Sequence, residues 1–211
     1  MRALPLLSIA YAPPLSYYKL LSLGPCSVEV HETYQKQTFR NRCRILTPQG
    51  VEDLVIPIEQ GARQDCPIRE VRISSHDHWW TRHLQALKSA YGKSPFFEFY
   101  IDDIASLYER GRHSFLFDFN WELMGLLARL IHLPLSVELT DSYQSAPGVP
   151  LDYREAIHPK RSEETFFLFP TYYHRFPING AVTSGVSIFD LLFNMGPESI
   201  LVLSNCQIDL F

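Results

Sequence analysis

Cysteine is scarce in this chain, and the few there are show no pairing pattern. Cys26, Cys43, Cys66 and Cys206 include no C-x-x-C spacing, and 211 residues can bury a core without covalent staples. They read as structural thiols in a reducing compartment. Long apolar runs are missing too: none approaches the ~20 residues that span a bilayer. The opening Met1 to Ser8 holds a short apolar stretch broken by Pro5. A signal peptide carries a longer apolar core, so this reads as the first buried strand of a cytoplasmic protein. Positive charge is not in excess. The net of -4 steers the chain as a whole toward neither nucleic acid nor an anionic membrane surface. No P-loop, G-x-G-x-x-G or nucleophile-triad signature occurs, which disfavours P-loop NTPases, kinases and ordinary nicotinamide enzymes. An RNA-binding signature is absent as well. Repeats, low-complexity tracts and linkers are lacking, so residues 1–211 read as a single domain without an evident cofactor.

What is present is an ordinary packed composition, 46% hydrophobic and 20% charged, with a generous 13% of aromatics. The punctuation predicts a mixed α/β (α+β) fold: a mixed sheet with an N-terminal βαβ-like unit and a β-hairpin, packed by several helices. Leu4 to Ala10 reads as a buried strand broken by Pro13-Pro14. A helix from Leu15 to Leu23 follows and ends at Gly24-Pro25, and Ser27 to His31 is the next strand. Tyr11 and the prolines then stand at the carboxyl end of the first strand, the edge where open α/β sheets bind ligands. Asn41 to Leu46 pairs with Val51 to Ile58 across Thr47-Pro48-Gln49-Gly50, a turn tetrad with Pro second and Gly fourth. Gly61 to Pro67 is a polar loop, and Ile68 to Ile73 reads as another strand. Ser74 or Asp77 caps a helix over 78–91 whose apolar stripe is Trp80, Leu84, Leu87 and Tyr91. Pro95 opens a helix reaching Leu107, and Asn120 caps a third from Trp121 to Ile131. Ser136 to Leu139 returns as a strand. Asp141 to Glu164 shows no period and reads as a loop at the rim of a site, with mobility as the other reading. Thr165 to Phe176 is strand-like. Ser187 caps Ile188 to Met195, and Gly196-Pro197 separates that helix from a last one over 198–204.

The densest chemistry lies between Tyr34 and Ile45. Lys36, Asn41 and Arg42 suit a phosphate or carboxylate, since a guanidinium offers a planar donor fork and an ammonium a point charge. The alternative is that Arg40, Arg42 and Arg44, on alternate positions, line the solvent face of one strand. His83 stands beside the apolar stripe of its helix, either as a general base or as a core histidine bonded to a carbonyl. Asp190 and Asn194, four apart on one helix, either orient a site or cap the next turn. Tyr11 and Tyr17 either stack on a sugar or base or pack in the core. His76-Asp77-His78 lacks a second ligand pair at metal-site spacing, so no metal is expected.

Four segments in order resemble the WbqC-like family of proteins found in Bacteroidetes-type bacteria. They are Ala10-Tyr11-Ala12-Pro13-Pro14-Leu15-Ser16-Tyr17-Tyr18; Tyr34 to Ile45; Trp79-Trp80-Thr81-Arg82-His83-Leu84, continuing through Tyr91 to Ser94-Pro95-Phe96-Phe97; and Ser187 to Asn194 with Gly196-Pro197. The family's H-Q-P ahead of the first motif is replaced here by Leu7-Ser8-Ile9, so no role for that histidine carries over. The resemblance implies a place in surface-polysaccharide (O-antigen type) biosynthesis, as a transferase-like protein moving an acyl or aminoacyl group to an amino-sugar nucleotide. It makes His83 and Tyr11 the catalytic candidates. Lys36, Asn41, Arg42, Tyr91, Asp190 and Asn194 are the substrate-binding candidates, for a nucleotide sugar or acyl donor. The competing expectation is a non-catalytic nucleotide- or sugar-binding or scaffolding partner of the same machinery, with protein partners in it.

Overall fold

Pro13 and Pro14 end the first strand and start the first helix. The computed structural model describes residues 4–59, 66–109, 111–145, 151–161, 166–176 and 185–208. Strand β1 (Leu6–Ser8), helix α1 (Leu15–Ser22) and strand β2 (Cys26–Glu29) form the expected βαβ unit. β1 and β2 run parallel, with Leu6 opposite Ser27 and Ser8 opposite Glu29. Strand β5 (Val137–Leu139) joins the other side of β2, also parallel, from Cys26 opposite Val137. Such strands are buried on both faces and so need continuous apolar runs; Leu6, Leu7, Cys26 and Val28 are all buried. On the free side of β1, Leu6 makes a single parallel bridge with Asp152. The amide of Leu6 donates to the Leu151 carbonyl at 2.9 Å, and that of Tyr153 to the Leu6 carbonyl at 2.9 Å. Residues 151–153 therefore flank β1 on the side away from β2, and the carboxyl end of β1 has a neighbour on each side.

Strands β3 (Arg42–Thr47) and β4 (Gly50–Val55) make the hairpin, antiparallel from Arg42 opposite Val55 to Thr47 opposite Gly50. Pro48 and Gln49 form the tip, and Gly50 supplies a φ of 112°. The mixed α/β class holds, with its strands shared among small sheets. The hairpin pairs by itself, and a third pair joins β6 (Phe167–Leu168) antiparallel to β7 (Gln207–Ile208).

The helices pack on these sheets: α2 (Trp79–Tyr91), α3 (Phe97–Leu107), α4 (Leu116–Leu130), α5 (Ile188–Met195) and α6 (Ser199–Ser204). Among the described residues, none is long and apolar enough to cross a membrane. Several expectations change in detail. Ile68 to Ile73 is not a strand; after Pro67 it turns as a 3-10 helix over Ile68–Glu70. Ile68 and Val71 are both buried, and three residues is the period of that helix. Neither Ser74 nor Asp77 caps α2. Ser74 Oγ accepts from the His76 amide at 3.2 Å, and Asp77 and His78 both take positive φ. The His78 carbonyl then accepts from Thr81 and Arg82. The buried face of α2 is Trp79, His83, Leu87, Ala90 and Tyr91; it keeps Leu87 and Tyr91 of the expected stripe and has Trp79 and His83 where Trp80 and Leu84 were expected. Helix α4 begins at Leu116, four residues ahead of Asn120, because the Leu116 amide is anchored on the Val71 carbonyl at 2.9 Å. Ser187 does cap α5, accepting from the Phe189 amide at 3.2 Å. Most of the 61–67 loop, Thr165, and residues 146–150 and 162–164 of the long loop lie outside the described residues.

Candidate functional site

Buried charge gathers where β1 and β2 end. Ser8 is the last residue of β1 and Glu29 the last of β2. Glu32 follows three residues later, and Arg40 comes from the loop ahead of the hairpin. Glu29, Glu32 and Arg40 are 0%, 4% and 2% exposed. The Arg40 guanidinium grips Glu32 with two prongs, Nε to Oε1 at 2.9 Å and Nη2 to Oε2 at 2.5 Å. Nη2 also donates to Ser8 Oγ at 2.7 Å, and Ser8 Oγ donates to Glu32 Oε2 at 3.1 Å. Burying such a pair is tolerable only with this completeness of hydrogen bonding.

A second ion pair closes the other wall. Arg154 donates to both oxygens of Asp152, at 3.0 Å from Nε and 2.6 Å from Nη2, and to the Gln144 carbonyl at 2.8 Å. Burial pushes the Asp152 carboxyl up, but the Arg154 contacts outweigh it and hold the group below its usual range. Arg154 Nη1 stands 3.6 Å from Glu29 Oε2. Glu29 also ties down the chain after β5, accepting from Thr140 Oγ1 and the Gln144 amide, each at 2.8 Å. Between these walls lies an open pocket of about 370 Å³, lined by Glu32, Arg40, Tyr143, Asp152, Arg154 and Glu155 among others. The Arg154 guanidinium sits over the exposed Tyr143 ring, 5.4 Å from its centroid. The lining sets three carboxylates (Glu32, Asp152, Glu155) against two guanidinium groups (Arg40, Arg154), with buried Glu29 behind Arg154 and an aromatic face open to solvent.

The residues singled out from the sequence separate into different places. Lys36 is exposed on the loop. Asn41 Nδ2 donates to the Ile56 carbonyl at 2.9 Å and holds the base of the hairpin. Arg42 and Arg44 both reach Asp53 across the hairpin, at 2.5 and 3.2 Å, on a partly exposed face. Arg42 thus does not line the strand-end pocket, and the described part of the 141–164 loop borders Arg40 instead of Arg42. Alternation does place Arg42 and Arg44 together. It does not extend to Arg40, because the strand starts at Arg42.

Tyr11 and His83 do come together, in the core. Tyr11 Oη is 2.9 Å from His83 Nδ1 and 2.7 Å from Tyr108 Oη. The Val55 backbone accepts from the ring as well. A carbonyl can only accept, so Nε2 carries the proton and Nδ1 accepts from Tyr11, which in turn accepts from Tyr108. Both ring nitrogens are engaged, and burial lowers the His83 pKa to about 4. Tyr91 Oη accepts from the Leu46 amide at 3.0 Å and also bonds Asp190. Asp190 is buried with Asn194, Tyr172 and His174 around it. Among the described residues no group of three or more His, Cys, Asp or Glu side chains is placed to hold a metal ion.

Sequence reading missed Ser8, Glu29, Glu32, Asp152, Arg154 and Tyr143. The last three sit in the aperiodic loop, and Glu29 and Glu32 flank a strand end. Their one legible signal was position, at the carboxyl edge of a βαβ unit.

Comparison with known proteins places this chain beside others without assigning it a reaction. The uncharacterised protein Rv1507c of Mycobacterium tuberculosis (strain ATCC 25618 / H37Rv) is 26% identical over 233 aligned residues, covering 98% of this chain and 100% of its own length. No solved structure matches significantly. The WbqC-like protein family matches residues 10–166, a span that starts after β1 and includes β2, the hairpin, α2 to α4 and the Arg154 wall. Over well more than half its length, therefore, this chain belongs to the WbqC-like protein family.

Proposed function

We propose that this protein is a cytoplasmic transferase-like component of surface-polysaccharide biosynthesis that binds an amino-sugar nucleotide, the acceptor of an acyl or aminoacyl group, in the strand-end pocket. The observation that carries this reading is the pocket's balance of groups. Fixed carboxylates and guanidinium forks offer both acceptors and donors to a ring of hydroxyls, and Tyr143 offers a face for stacking. The excess of carboxylates over guanidinium groups favours an ammonium substituent on the sugar. Polar groups already locked by one another keep their geometry when a ligand arrives, which lowers the ordering cost of binding.

A thermal-shift series with nucleotide sugars, coenzyme A thioesters and aminoacyl analogues tests it. A ligand at 100 times its dissociation constant stabilises the fold by about 2.7 kcal/mol. The expected result is a shift with amino-sugar nucleotides that Tyr143→Ala removes and Arg42→Ala, on the hairpin, leaves in place. A shift lost in Arg42→Ala and kept in Tyr143→Ala moves the site away from the strand ends.

The non-catalytic reading has one observation in its favour: the buried Tyr11–His83 pair has no free nitrogen with which to take a proton from a ligand. It is separated from the transferase reading by turnover assays with the same ligands.

A further inference from the structure

Asp190 collects donors from three parts of the chain. Tyr172 Oη donates to its Oδ2 at 2.8 Å, and His174 Nδ1 lies 2.9 Å from the same oxygen. Asn194 Nδ2 reaches Oδ1 at 3.3 Å and the Asp190 carbonyl at 2.8 Å. Tyr91 contributes a further side-chain bond from α2. The rings of Tyr172 and His174 lie 3.9 Å apart. In the Asp190–His174 pair the carboxylate is the acceptor, so Nδ1 of His174 holds the proton and Nε2 keeps the basic lone pair. Asp190 is sealed, at 1% side-chain exposure, whereas 12% of His174 is open. A buried carboxylate that fixes the tautomer of a part-exposed imidazole is the arrangement a general base requires.

Sequence reading placed Asp190 and Asn194 on one helical face but had no means of bringing His174 to them from a segment that read only as aromatic and strand-like.

We propose that His174, positioned by Asp190, is a proton acceptor for attack on the carbonyl carbon of an ester or thioester. The nucleophile's proton goes to Nε2 as its oxygen or nitrogen bonds the carbonyl carbon. The carbonyl re-forms as the bond to the leaving oxygen or sulfur breaks, and the leaving group departs with the bonding pair. This rests on the acyl-transfer reading only for the identity of the natural nucleophile, the sugar amine. With water as nucleophile and p-nitrophenyl acetate as probe, the products are acetate and p-nitrophenolate, and sugar binding plays no part.

The test is hydrolysis of p-nitrophenyl acetate by the full chain, with imidazole nitrogen chemical shifts read on the same protein. General-base assistance contributes about 10²–10⁴-fold, so His174→Gln is expected to lower turnover at least tenfold with its melting temperature retained. The spectrum is expected to show His174 protonated at Nδ1 and bare at Nε2, a signature that Asp190→Asn abolishes. Equal turnover in wild type and His174→Gln, or a His174 protonated at Nε2, overturns the proposal. Because Asp190 is sealed in the core, the part-exposed His174→Gln decides the matter if Asp190→Asn does not fold. A missing response to amino-sugar nucleotides alongside intact, His174-dependent ester turnover would count against the sugar reading alone.

Discussion

His83 shows what burial does to one ionisable residue. It is packed against Trp79, Tyr11 and Tyr108, with both nitrogens bonded to neutral partners. Burial lowers its pKa from 6.5 to about 4; the Val55 hydrogen bond opposes that and the Arg82 charge adds to it. Between those two values the unfolded chain binds the proton more readily than the folded one, so stability rises with pH across this window. The contribution is fully present above about pH 6.5 and is lost as pH falls toward 4. A drop of that size corresponds to about 3 kcal/mol. Urea unfolding between pH 4 and 7 is expected to show this slope in the wild type and to lack it in His83→Gln, whose amide can both accept from Tyr11 and donate to Val55. An unchanged slope would mean that the ring is not held neutral by the core. Arg40 shows the converse: a charge as deeply buried is kept because Glu32 and Ser8 satisfy its fork.

Elements here are shaped by a few backbone positions. Gly196 joins α5 to the last helical turn with φ 53° and ψ -126°, a conformation that side-chain-bearing residues avoid. A Cβ at this position would also lie 2.5 Å from the Phe96 ring. Gly50, at φ 112°, has nothing within 4 Å of a would-be Cβ. Both substitutions by alanine therefore carry backbone strain, but only one adds a clash. Gly50→Ala is expected to cost about 1 kcal/mol and Gly196→Ala about 2–3 kcal/mol, compared by denaturant midpoints. Equal costs would show that the Phe96 ring swings aside freely. The switch at α2 follows the same logic. Two left-handed residues, Asp77 and His78, set the phase of the helix and turn His83 fully inward, a rotation that no hydrophobic count over residues 78–91 registers.

For the whole molecule, the core is continuous from β1 through α4 to α5, and its thiols report on its integrity. None of the four cysteines is in a disulfide. Burial pushes Cys26 and Cys206 up to about 11 and Cys43 higher still, whereas Cys66 is half-buried. The thiolate is the reactive form. A disulfide reagent such as Ellman's is thus expected to label one thiol per native chain, at Cys66, and all four in denaturant. Rapid native labelling of two or more would show that the core opens.

Local chemistry was enough to determine the βαβ start, the hairpin with its Pro-Gln tip and the Ser187 cap, because each depends on residues close in sequence whose backbone preferences agree. Segments with conflicting or weak local preference were settled by the tertiary structure. Residues 68–73 pair only as isolated bridges, and Asn120 leaves a helix cap to donate to the Arg40 carbonyl at 2.7 Å. Site residues went the same way. Tyr11 and His83 were legible as a pair of polar aromatics, but whether they face a ligand or the core depended on helix rotation. Arg40 looked like one more solvent-facing arginine because nothing nearby in sequence announces Glu32's carboxylate, Ser8's hydroxyl and the end of a parallel sheet as its surroundings. A charge is buried only when its partners are in place, and those partners are assembled by the fold, not by the neighbouring residues.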